Sequence, residues 1–103
     1  MIARLTYFHV HPKDVDEMKR IYNDEVVPVI KNQKGNMGAW LLEPTSEKDE
    51  YISLTEWILK ADADAYESSG KYKTLVDKVK SKFKGNPVLK TYTAVESKKL
   101  IPV

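Results

Sequence analysis

The sequence contains no cysteine and no long apolar run. Without cysteine, the chain cannot form a disulfide, a thiolate metal site or a cysteine nucleophile. No stretch approaches the roughly 20 consecutive apolar residues that a membrane helix needs, so we expect no membrane partner. The segment MIARLTYFHV has no apolar stretch behind basic residues, which argues against a signal peptide and favours the cytoplasm.

A strong charge of either sign is also missing, because the net charge is only +2 at pH 7. This gives no general reason to expect nucleic acid as a partner. Neither GxGxxG nor GxxxxGK[ST] occurs, so no nucleotide or flavin motif indicates a cofactor. The length of 103 residues predicts one domain over residues 1–103, and the apolar tail, residues 97–103, is a segment that either docks on a partner subunit or frays.

What the sequence does contain is a regular alternation of strand and helix patterns. The predicted strands are residues 2–10, 36–43, 51–58 and 88–96, with helical segments between the first and second and between the third and fourth. This order predicts an α+β fold of the ferredoxin-like type, β-α-β-β-α-β, with an antiparallel sheet.

The two helical segments carry apolar stripes. In the first, the stripe is Val15, Met18, Tyr22, Val26 and Val29, and Pro28 is expected to kink or tighten the last turn. The second segment breaks at Ser69-Gly70 and resumes as a helix from Lys71 to Lys84, which Gly85, Asn86 and Pro87 end. Its many lysines are interpreted as a solvated face.

Neither face of the predicted sheet is plainly polar. In the first strand Arg4, Thr6, Phe8 and Val10 alternate with Leu5, Tyr7, His9 and His11, and in the third strand both faces also mix polar and large apolar residues. A sheet with helices on one side usually has a polar second face. The pattern therefore predicts that a second copy of the chain covers that face, giving a homodimer.

Three stretches of the chain together resemble a known family. They are LTYFHVHPKDVDEM, VVPVIKNQKGNMGAWLLEP, and YISLTEW followed by a short acidic helix and SSGKY. Over residues 3–95 the chain resembles the antibiotic biosynthesis monooxygenase domain of the dimeric α/β-barrel superfamily. Its most typical features here are Pro28, the glycine turn near Gly35 and the L-T-x-W strand end at Trp57.

The resemblance implies a homodimer whose two sheets face each other as a barrel, with a pocket between sheet and helices in each subunit. Some members oxygenate phenolic or anthrone-like substrates with dioxygen and no cofactor, and others bind and degrade haem. This sequence has Tyr66 and Val76 where haem-degrading members have tryptophan and histidine, and no asparagine in the first strand. Its only arginines, Arg4 and Arg20, lie outside the helix in which a pocket arginine is expected.

Six residues are candidates for a site, each with a purely structural alternative. Trp57 is either a core anchor or a pocket wall whose indole N–H binds a substrate oxygen. Tyr66 and Tyr72, on either side of the Ser69-Gly70 break, either pack in the core or orient a substrate phenol. We predict catalytic roles for His9, Trp57 and Tyr72, and substrate binding by Tyr7, Tyr66 and Asn32.

His9 is the candidate for acid–base chemistry, since imidazole changes charge near neutral pH. His9 and His11 share a side of the strand, but no third ligand is evident, so no metal site is predicted. Three functions remain open: a cofactor-independent monooxygenase acting on a small quinol-, phenol- or anthrone-like aromatic, a haem-binding or haem-degrading protein, and a non-catalytic dimeric domain that only binds a small molecule.

Overall fold

The computed structural model describes residues 1–95, and the predicted docking tail, residues 97–103, lies outside them. Four strands and four helices follow one another along the chain. They are β1 (Ile2–Val10), α1 (Val15–Ile21), α2 (Val27–Lys31), β2 (Asn36–Leu42), β3 (Tyr51–Trp57), α3 (Lys60–Ser68), α4 (Lys71–Val79) and β4 (Phe83–Thr93). The predicted ferredoxin-like α+β fold is confirmed.

The strands form one antiparallel sheet in the order β2-β3-β1-β4. The pleat of β1 places Ile2, Arg4, Thr6, Phe8 and Val10 beneath the helices, where all five side chains are buried. The helices cover this inner face, and the core between the two layers is built around Trp57 and Met18. Within residues 1–95 the sheet does not close on itself.

The buried apolar stripe predicted for the first helical segment is wrong at its last residue, and the turn between α1 and α2 explains why. Residues Tyr22–Val26 form a wide turn in which the Val27 N–H donates to the carbonyl of Tyr22, five residues back. Pro28 cannot donate and its ring crowds the preceding turn, which favours such a widened turn just before it. The widened turn rotates the following residues, so Ile30 is 3% exposed while Val29 is 36% exposed. Ile30, not Val29, therefore continues the buried stripe.

The last strand begins earlier than predicted. α4 ends at Val79, a short turn follows at Lys80–Lys82, and β4 starts at Phe83. Tyr7 pairs with Val88 and His9 with Lys84, so residues 85–87 form a bulge opposite Phe8. Gly85 permits it with φ of 82°, and Pro87 is tolerated because β4 is an edge strand. The helix stop predicted from these residues is instead an irregularity inside a strand.

The outer face of the sheet is left without cover by residues 1–95. Along the paired strands it carries the apolar side chains of Leu5, Tyr7, Trp40, Leu42, Ile52, Leu54, Val88 and Tyr92. Several are strongly exposed, with Trp40 at 46% and Tyr92 at 50%. Such a contiguous apolar surface is unusual on a protein that acts as a monomer.

Candidate ligand-binding cavity

A cavity lies between the inner face of the sheet and the helices. It holds about 50 Å³ of space accessible to water-sized molecules and has an open mouth. The enclosed part is enough for a few water molecules, so a larger ligand must extend into the mouth or displace side chains. Its lining is Arg4, Thr6, Phe8, Met18, Tyr22, Val26, Ile30, Ser53, Thr55, Tyr66, Tyr72, Leu75, Val76, Val79, Phe83 and Leu89.

Aliphatic and aromatic side chains form most of this wall, with a few hydroxyls set into it. The hydroxyl of Tyr72, from α4, lies 3.2 Å from Thr6 Oγ1 on β1. The hydroxyl of Tyr22 lies 2.8 Å from Ser53 Oγ and 3.2 Å from the carbonyl oxygen of Trp40. Small numbers of placed polar groups in an apolar cavity are typical of small-molecule sites.

Arg4 is the one charged residue in this wall. It is 5% exposed, and its Nη2 donates to Glu67 Oε2 while its Nη1 lies 3.7 Å from Asp64 Oδ1. Both carboxylates belong to α3 and are about half exposed. The Arg4 Nε is buried and has no hydrogen-bond partner among residues 1–95. A buried donor without a partner carries a desolvation cost.

Three aromatic rings connect the core to the cavity. The rings of Trp57 and Tyr66 stack with centroids 5.3 Å apart, and Tyr72 meets Tyr66 edge-on at 6.2 Å. Trp57 is fully buried behind Tyr66, and its indole N–H donates to Thr55 Oγ1 at 2.9 Å. Tyr66 and Tyr72 therefore face the cavity, while Trp57 supports Tyr66 from the far side.

Burial raises the pKa of the Tyr66 hydroxyl well above its ordinary value. Tyr72 and Tyr22 raise the pKa further, and only Arg4 acts in the opposite direction. Burial also raises the pKa of Tyr22, against the hydrogen bond from Ser53, which lowers it. Tyr66 and Tyr22 consequently stay protonated at neutral pH and serve the cavity as hydroxyl groups, not as anions.

The break between α3 and α4 aims the two tyrosines at the same cavity. Gly70 adopts φ of 84°, a left-handed conformation that turns the chain between the helices. The Ser69 hydroxyl donates to the Tyr66 carbonyl and accepts from the Lys71 N–H, so it fixes both sides of the break. A continuous helix would place residues six apart on different faces, whereas this turn lets both line the cavity.

The structure separates the predicted site residues into two groups. Tyr66 and Tyr72 line the cavity, and Trp57 touches it only through Tyr66. His9 is exposed and alternates with the inward-facing Phe8 and Val10, so it lies on the opposite side of the sheet. His9 therefore does not share this cavity with Tyr66 and Tyr72, and its catalytic role stays a prediction.

Tyr7 and Asn32 are also remote from the cavity. Tyr7 lies on the outer face of the sheet, where Lys90 Nζ is 5.2 Å from the centre of its ring. Asn32 is exposed at the end of α2. Their roles in substrate binding stay predictions, and any contact they make with a ligand lies outside this cavity.

The sequence reasoning missed Arg4, Thr6, Tyr22 and Ser53 as lining residues. A signal was present for Arg4, because it alternates in phase with Phe8 and Val10 on a strand face that had to be buried. An arginine that shares a face with buried aromatic residues is either paired or functional.

The described part of the chain offers no group of three or more histidine, cysteine, aspartate or glutamate side chains placed to hold a metal ion. None of the helices within residues 1–95 combines the length and the apolar character that crossing a membrane requires.

Comparison with known proteins assigns the family. The family model described as antibiotic biosynthesis monooxygenase matches residues 1–78. No curated protein matches the sequence significantly.

Solved structures with the same fold include a putative antibiotic biosynthesis monooxygenase from Nitrosomonas europaea, at a TM-score of 0.77 and 17% identity, covering 93% of this chain and 100% of that one. A variant of SnoaB, a cofactor-independent oxygenase from Streptomyces nogalater, has a TM-score of 0.76 and 12% identity, covering 93% and 94%. A variant of MhuD with two manganese protoporphyrin IX molecules bound per active site has a TM-score of 0.76 and 16% identity, covering 96% and 99%. At these identities the likeness extends to the fold alone.

Proposed function

The chain belongs to the antibiotic biosynthesis monooxygenase family, and on that premise we propose that it is a cofactor-independent monooxygenase of a small phenol-, quinol- or anthrone-like aromatic. The observation that carries the proposal is the cavity between sheet and helices, with apolar walls and the rings of Tyr66 and Tyr72. Flat aromatic ligands suit such walls, since rings stack on them and hydroxyls orient them.

The proposed chemistry needs few groups from the protein. An electron-rich phenol or enol is deprotonated and reacts with dioxygen. The substrate loses two hydrogens: an anthrone loses both from the reacting carbon, and a phenol or quinol loses one from the carbon and one from a hydroxyl. The reacting carbon gains one oxygen atom while the second oxygen atom leaves as water, so the substrate supplies the electrons. The cavity contributes exclusion of water and hydrogen-bond donors for the developing anion. The Tyr72 hydroxyl, paired with Thr6 Oγ1, is placed to be such a donor.

The remaining predicted site residues fit this proposal unequally. Trp57 acts as a positioning residue, because its stacked ring holds Tyr66 against the cavity. His9 lies across the sheet from the lining residues, so the proposal assigns it no contact with the substrate in this cavity.

Oxygen uptake tests the proposal directly. We expect the protein to consume dioxygen with at least one member of a panel of hydroquinones and anthrones, with one oxidised product formed per dioxygen. Tyr72→Phe should lower the rate, while Ser68→Ala, which removes an exposed hydroxyl outside the cavity, should not. If no compound supports uptake but several raise the melting temperature, the protein is a non-catalytic binding domain instead.

The proposal includes a homodimer formed through the outer face of the sheet. Leu5, Leu54 and Trp40 are cross-strand neighbours at the centre of this face, and Val88 and Tyr92 extend it across β4. A second copy meeting this face would bury apolar area that residues 1–95 leave in water, and a stable interface needs about 800 Å² from each partner.

Haem chemistry fits the cavity less well. Histidine is absent from its lining: His9 lies on the outer face, and His11 follows the end of β1. A tyrosine can hold haem iron, but it does so as the ionised phenolate. The pKa of Tyr66 is raised by burial, which works against that form. A hemin titration without a Soret shift would agree with this reasoning, and a Soret band that Tyr66→Phe removes would contradict it.

A further inference from the structure

Two opposite charges lie on the apolar outer face of the sheet, in different strands. Glu56 belongs to β3, where it pairs with Ala3 of β1 and Gly38 of β2, and Lys90 belongs to β4, where it pairs with Leu5 of β1. Each alternates along its strand with residues that face the helices, so both side chains point outward. Because β1 lies between β3 and β4, the Cα atoms of Glu56 and Lys90 are roughly 12 Å apart.

Neither charge is neutralised by the part of the chain that the structure describes. No ion pair among residues 1–95 includes Glu56 or Lys90, and Lys90 Nζ lies instead 5.2 Å from the centre of the Tyr7 ring. A partner that covers the outer face would remove water from both charges, and a charge buried without an opposite charge is strongly unfavourable. The partner must therefore bring an acid to Lys90 and a base to Glu56. A second copy of this chain brings both.

The orientation of the two copies decides whether these charges attract or repel each other. A symmetric face-to-face dimer has a two-fold axis in the plane between its sheets. If the axis runs across the strands, each strand lies opposite its own copy, so acids on β3 meet acids and lysines on β4 meet lysines. If the axis runs along the strands, between β1 and β3, then β4 lies opposite β2 of the partner and beside β3 of the partner. The second orientation brings opposite charges together.

In this second orientation Lys90 comes close enough to the partner's Glu56 for an ion pair. Lys90 is level with Leu54 through their common neighbour Leu5, so it is one alternation along the strands from Glu56. Neighbouring strands are about 4.8 Å apart, alternate residues of a strand about 7 Å, and stacked sheets about 10 Å. Combined, these spacings separate the two Cα atoms by about 13 Å, which extended lysine and glutamate side chains span when they form an ion pair.

Glu50 and Lys84 repeat the relation at the other end of the outer face. Lys84 pairs with His9, and Glu50 precedes Tyr51, which pairs with Phe8, so Glu50 and Lys84 are level with each other across the sheet. At both ends the acid is on the β3 side and the lysine is on the β4 side. The axis that brings Lys90 to the partner's Glu56 therefore also brings Lys84 beside the partner's Glu50.

We propose that Glu56 of each copy forms an ion pair with Lys90 of the other, and that these two symmetric pairs select the dimer whose two-fold axis runs along the strands. The inference rests on the homodimer proposed above and is independent of the oxygenase chemistry. It adds which charged residues determine the orientation, whereas the apolar side chains of the outer face supply the buried area.

Charge reversal tests the pairing. Glu56→Lys puts two lysines at each contact and Lys90→Glu puts two glutamates there, so each variant alone should dimerise at least roughly tenfold more weakly than wild type in sedimentation. Mixing the two variants should restore dimers, because one copy then carries two lysines and the other two glutamates, so both contacts are attractive again. The double variant Glu56→Lys/Lys90→Glu should likewise dimerise within about threefold of wild type.

Lys73→Glu and Asp77→Lys are the matched controls. Lys73 and Asp77 form an exposed ion pair on α4, on the helix side of the sheet, so their reversal changes the net charge equally without altering the outer face. Both controls should dimerise as wild type does.

Neutral substitutions keep the test decisive if a reversed variant at Glu56 or Lys90 does not fold by circular dichroism. Glu56→Gln and Lys90→Met each leave one charge of the pair without its partner, so each should weaken the dimer. Together they should weaken it by less than the product of their separate effects.

Two results would overturn the pairing alone. One is a dimeric wild type whose reversed variants dimerise as tightly as the controls. The other is a set of weakened variants that recover neither on mixing nor in the double variant, which would show that Glu56 and Lys90 do not meet. Both results leave the homodimer standing. A monomeric wild type removes the homodimer and this inference together and assigns the outer face to a different partner, while oxygen uptake is measured separately from all of these outcomes.

Discussion

Trp57 gives the sharpest test of how the aromatic cluster works. Its ring is fully buried, it stacks on Tyr66, and its indole N–H donates to Thr55 Oγ1. If Trp57 acts only by supporting Tyr66 from behind, its replacement should affect stability much more than the chemistry of the cavity. If it contacts a ligand, the opposite should hold.

The expected loss for Trp57→Phe has two parts. The smaller ring leaves unfilled space and a weaker stack, and the missing N–H leaves the buried Thr55 hydroxyl without its donor. Together these should reduce the free energy of unfolding by about 2–4 kcal/mol. A domain of this size has about 5–15 kcal/mol in total, so the variant should still fold.

Urea unfolding at one fixed protein concentration measures this loss, because any self-association would make the midpoint concentration-dependent. Thr55→Val should cost about 1–3 kcal/mol by leaving the indole N–H unpaired, and the double variant should lose less than the sum of the two. Ile58→Ala, at the exposed residue that follows Trp57, is the control and should stay within about 0.5 kcal/mol of wild type.

A Trp57→Phe variant as stable as the control would refute the packing argument. A variant that keeps wild-type stability but loses tenfold or more in ligand affinity would assign Trp57 to direct contact with the ligand, against the placement described above.

Three further outcomes follow from the same structure. Leu54→Glu puts a charge at the centre of the outer face, between Leu5 and Trp40. In sedimentation at micromolar concentration, the wild type should be a dimer and this variant a monomer. A monomeric wild type would contradict the proposed dimer. Gly35→Ala and Gly70→Ala both place alanine at a left-handed φ, but the added carbon at Gly35 also collides with the Asp62 side chain, whereas Gly70 has open space around it. In urea unfolding, Gly35→Ala should therefore lose at least about 1 kcal/mol more free energy of unfolding than Gly70→Ala. Equal losses would contradict the close approach of Gly35 to Asp62. Because the pKa of Tyr66 is raised from 10.0 on folding, the contribution of its protonated hydroxyl to the free energy of unfolding is fully present below about pH 10 and is lost as the pH rises further. Tyr66→Phe should therefore flatten the decline in stability at alkaline pH. An unchanged slope of stability against pH would argue against the burial of Tyr66.

The order of the elements could be predicted from the sequence, because period-two and helical patterns report directly on which side of a segment is buried. The predictions that were wrong concern local backbone geometry, which these patterns do not report. A single widened turn before Pro28 moved burial from Val29 to Ile30, and Gly85 and Pro87 formed a strand bulge instead of a helix end. Glycine and proline signal a departure from regular geometry, but not which departure occurs.

The candidate site was only partly predictable, for a different reason. Tyr66 and Tyr72 were found because the Ser69-Gly70 break is visible in the sequence. The prediction of His9 rests on the chemistry of imidazole alone, and its strand position has the opposite parity to Phe8. Arg4 has the inward parity, although it lies outside the helix in which a pocket arginine is expected. Whether a strand residue occupies an inward or an outward alternating position therefore predicts the lining of the cavity better than its residue type does.

That parity also explains how β1 can serve two surfaces at once. Arg4 and Thr6 point to the cavity, while Leu5 and Tyr7 point to the outer face, and a slip of one residue would exchange the two sets completely. β1 is paired on both sides, with β3 through Ile2–Phe8 and with β4 across the bulge, so its register is held twice. The cavity wall and the proposed dimer contact are therefore fixed by the same central strand. Because the two sets point away from each other, a charge placed at Leu54 to separate the subunits should leave the proposed oxygen uptake in the cavity intact. If the separated monomer lost that uptake, the cavity would depend on the partner subunit, and the single chain would be only part of the site.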